Sequence, residues 1–279
     1  MFLCLALAVI LFACIATASW VAGSTLSAPA NHVVAQPPQD LHVQNVEFDG
    51  IKGWIVPSLT PSDRCVILMH GVRSDRSAML NRAEFLRIHG YTSLLFDFQA
   101  HGESQGDQIT FGYLESNNAH SALKFLRSTG LCTKIAAIGQ SLGGAAALLG
   151  KQPLDVDALV LESVYPSLKD AVIDRVVIRF GSAGTVIAPL LYWQIPYRIG
   201  APLSEFEPAV AIARIKCPVY IIAGSEDQHT SLPEAELIYK NAPNPKQFWE
   251  VKGAAHVDMY TYSGKQYETN VLEFLSHYI

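Results

Sequence analysis

Residues 134–149 read K-I-A-A-I-G-Q-S-L-G-G-A-A-A-L-L and decide the fold. The apolar run 135–138 has the length and composition of a strand buried in a parallel sheet. The small residues 144–149 suit a helix that packs closely on that sheet. Between them lies Gly139-Gln140-Ser141-Leu142-Gly143, which predicts a sharp strand–turn–helix junction with the serine exposed at its tip.

In that structural context the Gly-x-Ser-x-Gly pattern predicts a nucleophilic serine, Ser141. The backbone N–H of Leu142, at the start of the helix, would face a developing oxyanion. The N–H of Val72, just after the strand that ends at His70-Gly71, is the predicted second donor. Read alone, the segment also fits a glycine-rich turn with an incidental serine.

Composition restricts the classes of protein that the chain can belong to. Its 279 residues suffice for one large α/β domain or two small ones, and a hydrophobic share of 50% predicts a sizeable core. The formal net charge of −5 argues against nucleic acid or an anionic membrane surface as the natural partner.

The N-terminal segment differs from the rest of the chain. Residues 1–39 contain no Asp, Glu, Lys or Arg, and residues 1–22 are almost wholly apolar. Ala16-Thr17-Ala18 has the form of a signal-peptidase site, whereas about 20 apolar residues can also remain as a membrane anchor. Lipidation at Cys14 is a weaker third alternative. We therefore expect an exported (periplasmic or secreted) or membrane-anchored protein, with 1–39 as leader plus linker.

Strand-like and helical segments alternate over residues 40–279, which predicts an α/β fold with a mostly parallel central sheet and helices on both faces. In such sheets the loops after the carboxyl ends of the strands build the site. From about 165 to 212 the alternation stops, and aromatic residues and prolines accumulate. This segment is interpreted as a small helical cap over the site; core helices that seal one sheet face are the alternative.

With these motifs placed, residues 40–279 resemble the α/β-hydrolase superfamily. The resemblance rests on His70-Gly71, on the motif around Ser141, and on the chain order Ser141, Asp227, His256. The segment 97–104 resembles the family's D-x-R-G-H-G-x-S, although Gln99-Ala100 replaces the usual Arg-Gly. Within the superfamily the chain is similar to the serine aminopeptidase, Bem46-like and monoglyceride-lipase-like branches.

The resemblance and the chemistry assign the same roles. A serine hydroxyl needs a base within hydrogen-bond reach and a third group that orients the base. Ser141 is the predicted nucleophile, His256 the base and Asp227 the orienting acid, with Glu226 as an alternative acid. A metal cluster of histidines 70, 101, 229 and 256 lacks ligand spacing, so no metal and no cofactor is predicted.

These roles predict a serine hydrolase that cleaves small-molecule carboxylic esters or thioesters through an acyl-enzyme. A peptidase of aminopeptidase type and a non-catalytic binding protein on a hydrolase fold are the alternatives. Four residues are candidates for substrate contact: Arg73, Tyr165, Tyr192 and Trp193. Outside the leader, Cys65, Cys132 and Cys217 are an odd number without close spacing, which leaves open buried thiols or one Cys65–Cys132 bridge.

Overall fold

A central sheet organises the structure, a computed structural model that describes residues 2–279, with the side chains of residues 3, 4 and 8 left out. The strands are β1 (Ala30–Asn31), β2 (Gln44–Phe48), β3 (Ile51–Val56), β4 (Arg64–Met69), β5 (Thr92–Phe96), β6 (His101–Gly102), β7 (Lys134–Gln140), β8 (Ala158–Glu162), β9 (Val219–Gly224) and β10 (Lys246–Val251). Eight of them form one sheet in the order β10-β9-β8-β7-β4-β5-β3-β2, while β1 pairs with β6.

The sheet is mostly parallel, as predicted. Only the β2–β3 and β3–β5 pairings are antiparallel among the described strands of the large sheet. The helices are α1 (Phe2–Ser27), α2 (Leu80–Ile88), α3 (Glu115–Ser128), α4 (Leu142–Leu148), α5 (Leu168–Phe180), α6 (Gly184–Ile187), α7 (Pro189–Tyr192), α8 (Ile195–Ile199), α9 (Pro208–Ala211), α10 (Leu232–Asn241), α11 (Met259–Ser263) and α12 (Lys265–Tyr278).

Both faces of the sheet are covered by helices, as alternate side chains of β4 demonstrate. Ile67 and Met69 belong to a core cluster that includes residues of α3 and α4. Val66 and Leu68, which point the other way, belong to a second cluster with residues of α2 and α12. Burial on both sides explains why this strand is a continuous apolar run rather than an alternating one.

The first hairpin turns at Asp49-Gly50, a residue pair that favours a two-residue turn between strands. Phe48 pairs with Ile51 across the turn, and the two turn residues take φ of 48° and 75°. Positive φ at both central positions is typical of the hairpin turn that matches strand twist. The apolar run that begins at Leu41 predicts a strand over 41–48, but the strand starts only at Gln44, because residues 39–41 form a 3₁₀ turn that buries Leu41.

Residues 165–212 form the short helices α5 to α9, joined by turns. Prolines help to set their length: Pro189 and Pro208 are the first residues of α7 and α9. The segment has a small core of its own, made by Leu168, Ile195, Ala201 and Phe206. We refer to residues 165–212 as the cap.

The N-terminal helix α1 is long and apolar. Its stretch Leu5–Ser27 is long and apolar enough to cross a membrane. In the described chain, the cap helices meet the same criteria only when Leu168–Ile187 and Pro189–Ile199 are taken together as one bent pair.

The segment expected to be a linker after α1 is partly paired with the rest of the chain. Ala30 N–H donates to Ala100 O at 2.7 Å and His32 N–H to Gly102 O at 2.9 Å. Strand β1 therefore supplies hydrogen-bond partners for the backbone carbonyl groups around β6.

A disulfide bridge joins Cys65, in β4, to Cys132, just before β7, with Cα atoms 5.8 Å apart. Among the described side chains, Cys14 is an exposed thiol and Cys217 a buried one. Of the two alternatives that the cysteine count leaves open, the structure therefore contains the bridge. Such bridges persist in oxidising compartments.

Replacing both bridged cysteines (Cys65→Ala with Cys132→Ala) is expected to lower the free energy of unfolding by about 2–4 kcal/mol, because the unfolded chain regains the entropy of an open loop. Urea unfolding of the oxidised proteins measures the change. A reductant should destabilise the wild-type chain similarly and leave the double variant unaffected. Equal stability of wild type and variant would show that the bridge does not constrain this fold.

Candidate active site

The turn at Ser141 connects β7 to α4 as the sequence predicts. Ser141 has φ 49° and ψ −110°, a left-handed conformation that few non-glycine residues adopt. A Cβ at Gly139 would lie 2.6 Å from Gly144 N, and one at Gly143 would lie 2.8 Å from His70 O. Both positions must therefore be glycine for the strand, the helix and the neighbouring loop to approach this closely.

The serine lies at an apolar cavity of about 310 Å³. Val72 and Leu142, the two predicted oxyanion donors, line the same cavity. Helix α5 contributes half of the lining residues, and Leu26 of α1 and Leu191 of α7 also line the cavity. The volume and the apolar lining fit a small ligand.

Asp227 and His256 form a direct pair in the loops after β9 and β10. His256 Nδ1 donates to Asp227 Oδ2 at 2.7 Å. The carboxylate also accepts the backbone N–H groups of His229 and Thr230, at 2.8 and 2.9 Å, and the Thr230 hydroxyl at 2.7 Å. The pair therefore fixes the tautomer of the imidazole, with Nε2 left as the acceptor.

These contacts keep the carboxylate of Asp227 ionised. Burial alone would raise its pKa, but the hydrogen bond and charge of His256, together with Thr230, outweigh burial, and the net pKa is lowered. Because the folded-state pKa is the lower one, the ionised carboxylate stabilises the native protein above its ordinary pKa. This contribution is lost as the pH falls through the lowered value.

The third predicted member is at the same edge but is not bonded to the pair. Among residues 2–279, no side-chain hydrogen bond joins Ser141 Oγ to His256, and neither Asp227 nor His256 lines the cavity. The three residues follow strands β7, β9 and β10, whose carboxyl ends lie side by side with β8. Serine–histidine contacts are often long without substrate and tighten in the substrate complex.

A buried ionic cluster lies between the turn at Ser141 and the loop that carries His256. Arg82, from α2, donates to both carboxylate oxygens of Glu162, at 3.2 and 2.6 Å, and to Asp258 at 2.6 Å. Glu162 O accepts the Ser141 N–H at 2.8 Å, while Asp258 lies two residues after His256. Tyr267 hydrogen-bonds both Arg82 and Glu162. The cluster therefore links the serine turn to the histidine loop.

The positive charge of Arg82 and the negative charges of its carboxylate partners compensate one another within this cluster. Burial alone would lower the pKa of Arg82, but the carboxylates of Glu162 and Asp258 raise it well above its ordinary value. Burial and the charge of Glu162 likewise raise the pKa of Tyr267. No local motif marks Arg82 or Tyr267, because each is a helix residue whose partners lie elsewhere along the chain. Thr230 is a loop residue three positions after Asp227, and nothing in the sequence distinguishes it from other loop hydroxyls.

Replacing Arg82 by methionine is expected to lower the free energy of unfolding by about 3–5 kcal/mol, because Glu162 would remain as an uncompensated buried charge. Arg127→Met is the matched control: Arg127 pairs with Asp155 on the surface, and its loss should cost below about 1 kcal/mol. Chemical unfolding compares the two variants. An equal loss of unfolding free energy in the two variants would contradict the proposed contribution of the buried cluster to stability.

The four candidate substrate contacts differ in position. Tyr165 lines the cavity, and its hydroxyl donates to Phe111 O at 2.6 Å. Arg73 is directed elsewhere, since its guanidinium donates to Leu26 O at 3.2 Å and to Ala28 O at 3.4 Å at the end of α1. Tyr192 and Trp193 do not line the cavity; their neighbour Leu191 does. The periodicity of so short a helix could not decide which of the three faces inward.

The remaining candidates have structural partners. Glu226, the alternative acid, is exposed, and the carboxylate bonded to His256 is that of Asp227. His70 is buried and hydrogen-bonds the backbone of Gly71 and Phe98, and burial lowers its pKa to about 3. Within residues 2–279 no group of three or more His, Cys, Asp or Glu side chains is arranged to hold a metal ion.

Comparison with known proteins identifies relatives of this chain. Residues 60–199 match the family described as serine aminopeptidase, S33. The match includes Ser141 and ends before Asp227 and His256. The Bacillus subtilis protein YqkD is 24% identical over 235 residues, which cover 81% of this chain and 75% of the relative.

Solved structures show the same fold. The esterase PF2001 of Pyrococcus furiosus superimposes with a TM-score of 0.75 at 25% sequence identity, over 91% of this chain and 98% of that one. A monoacylglycerol lipase from Paleococcus ferrophilus has a TM-score of 0.59 at 18% identity, over 84% and 100% of the two chains. The second likeness concerns the fold alone.

Proposed function

This chain belongs to the serine aminopeptidase S33 family of the α/β-hydrolase superfamily, and from that premise we propose that it is a serine hydrolase that cleaves carboxylic esters or thioesters. Ser141 is the nucleophile, His256 the general base and Asp227 its orienting acid. The observation that carries the proposal is the combination of a strained serine at an apolar cavity with a bonded Asp227–His256 pair at the same sheet edge.

The proposed reaction has two balanced steps. In the first, Ser141 Oγ bonds to the acyl carbon, its proton passes to His256 Nε2, and the carbonyl electron pair moves to oxygen. The tetrahedral intermediate then collapses, and the leaving alcohol or thiol takes the proton from the imidazole. In the second step, water attacks the acyl-enzyme by the same route, releases the acid and regenerates the serine.

The oxyanion of both intermediates would be held by the N–H groups of Val72 and Leu142. The first N–H groups of a helix have no partner within it, so that of Leu142 is available at the start of α4. Preformed donors of this kind each contribute about 3–4 kcal/mol of transition-state stabilisation. No cofactor takes part, because each step uses groups of the protein itself.

The cavity favours an acyl group over a charged peptide terminus. Its polar surface is small, and α5 contributes Leu168, Val172 and Val176 to the wall. Arg175 and Arg179 are the charged side chains in the lining, so no carboxylate of the lining faces the α-ammonium group that an aminopeptidase must bind. This observation favours esters over the aminopeptidase alternative.

The proposal predicts that a fluorophosphonate probe labels Ser141 and that Ser141→Ala abolishes both labelling and turnover of short acyl esters. Asp227→Asn should leave the fold intact and reduce kcat on the order of 10⁴-fold, because the imidazole loses its orienting carboxylate. Glu226→Gln is the control, and its rate should equal that of the wild type. A folded wild-type protein that neither labels nor hydrolyses any short ester would overturn the assignment.

A direct comparison of substrates separates the two hydrolase classes. Acyl methylumbelliferyl esters should be cleaved with a kcat/KM at least about a hundredfold above that of amino-acyl naphthylamides, because the apolar cavity offers no carboxylate to an ammonium group. Steady-state kinetics on the same preparation gives the ratio. Faster cleavage of the naphthylamides would identify a peptidase instead.

The proposed location is outside the cytoplasm, at a membrane. The Cys65–Cys132 bridge fits an oxidising compartment, and α1 is long and apolar enough to serve as an anchor. The catalytic domain that follows this anchor would then lie on the side of the membrane that faces the oxidising compartment.

A further inference from the structure

From the way in which α1 ends on the cap, we infer that the cap docks on the bilayer and that the cavity receives its substrate, an acyl ester lipid, directly from the membrane. The proposed surface, called the cap face, consists of the exposed residues of α6–α8 beside α1. This inference rests on the proposed function and specifies its substrate class.

The last turns of α1 are fixed to the cap instead of forming a flexible tether. Among the described side chains of α1, Ser19 is the first that is buried, and Gln194 Nε2 donates to Ser19 O at 3.0 Å. Arg198 donates to Ser24 Oγ at 2.8 Å, and its guanidinium lies 4.0 Å from the centre of the Trp20 ring. The orientation of the cap relative to the helix is therefore set by the structure.

The candidate membrane span of α1 then determines where the bilayer lies. The stretch of α1 that is long and apolar enough to cross a membrane, Leu5–Ser27, includes Ser19 and Ser24, which both bond to the cap. The hydrocarbon core of a membrane is about 30 Å thick. If α1 spans it, the turns that are packed on the cap must enter the bilayer boundary, and the neighbouring residues of the cap reach the headgroup layer.

The cap face has the composition of an interfacial surface. It exposes large apolar side chains: Val186 is 78% exposed, Tyr197 75% and Trp193 45%. Within α6–α8, residues 184–199, Arg198 is the one charged residue, and no Asp or Glu occurs. Although the whole chain has a net charge of −5, this surface carries no negative side chain, and exposed apolar and aromatic groups suit a lipid headgroup layer.

The same surface continues into the cavity. Leu26 of α1 and Leu191 of α7 both line it beside Ser141, and Phe180, which is 54% exposed, lines it as well. A lipid in the leaflet around α1 could therefore move its acyl ester from the bilayer to the serine along apolar side chains, without crossing water. The geometry assigns the cavity to a lipid ester for this reason.

The test uses two esters with the same leaving group, one dissolved in the bilayer and one in aqueous solution. The full chain is placed in nanodiscs of phosphatidylcholine and phosphatidylglycerol in equal parts, with methylumbelliferyl oleate in the bilayer or methylumbelliferyl acetate in solution. Val186→Glu with Tyr197→Glu should reduce oleate hydrolysis roughly tenfold, because carboxylates oppose docking on an anionic headgroup layer, and leave acetate hydrolysis unchanged. Leu59→Glu with Ile88→Glu, two exposed residues at the opposite edge of the sheet, should change neither rate.

A binding measurement decides the matter if the double variant loses both activities. An environment-sensitive fluorophore is attached at Val186→Cys, in a Cys4→Ser and Cys14→Ser background, with Leu59→Cys as the control position. Docking predicts a blue-shifted emission at position 186 in nanodiscs compared with detergent, and no shift at position 59. Equal emission at both positions would overturn the inference.

The outcomes also separate this inference from the proposed function. A wild-type protein that fails to hydrolyse the acetate and to react with a fluorophosphonate contradicts the hydrolase assignment itself. Normal acetate hydrolysis with equal oleate rates in wild type and Val186→Glu/Tyr197→Glu contradicts only the docking. An emission at position 186 that shifts with protein concentration in detergent would show that a second copy, and not lipid, covers the cap face.

Discussion

The close approach of β7, α4 and the loop after β4 is the constraint on which the rest of the site depends. Only residues without a Cβ allow this approach at positions 139 and 143, and it forces Ser141 into a left-handed backbone conformation. The strain is held by buried neighbours on both faces of the sheet. The serine in this position is buried at the end of β7 and lines the cavity.

The remaining groups are brought to this edge by the topology of the sheet, and buried charges hold the loops together. The loops after β7, β9 and β10 are far apart in sequence, and the sheet order alone makes them neighbours. Arg82 then bonds Glu162, whose carbonyl accepts from Ser141, and Asp258, which follows His256. A buried pair of this kind contributes little net stability compared with apolar residues, but it specifies one arrangement of the loops.

The sequence predicted those features that are set by local chemistry. The turn at Asp49-Gly50, the strand before Ser141 and the order of serine, acid and histidine follow from glycine positions and from apolar runs. It could not predict that Arg73 caps α1, that Leu191 and not Trp193 faces the cavity, or that β1 pairs with β6. Each of these depends on a partner distant in sequence. Ala100 is an intermediate case: it replaces the usual glycine and still adopts a φ of 57°.

The central claim is that Ser141, His256 and Asp227 act together on one acyl carbon. A crystal structure of the full chain after reaction with a fluorophosphonate tests it most directly. The account predicts phosphorus bonded to Ser141 Oγ, the phosphoryl oxygen about 3 Å from the nitrogens of Val72 and Leu142, and His256 Nε2 within about 3.2 Å of Oγ. An adduct on another residue, or an imidazole remote from the phosphorylated serine, would contradict it.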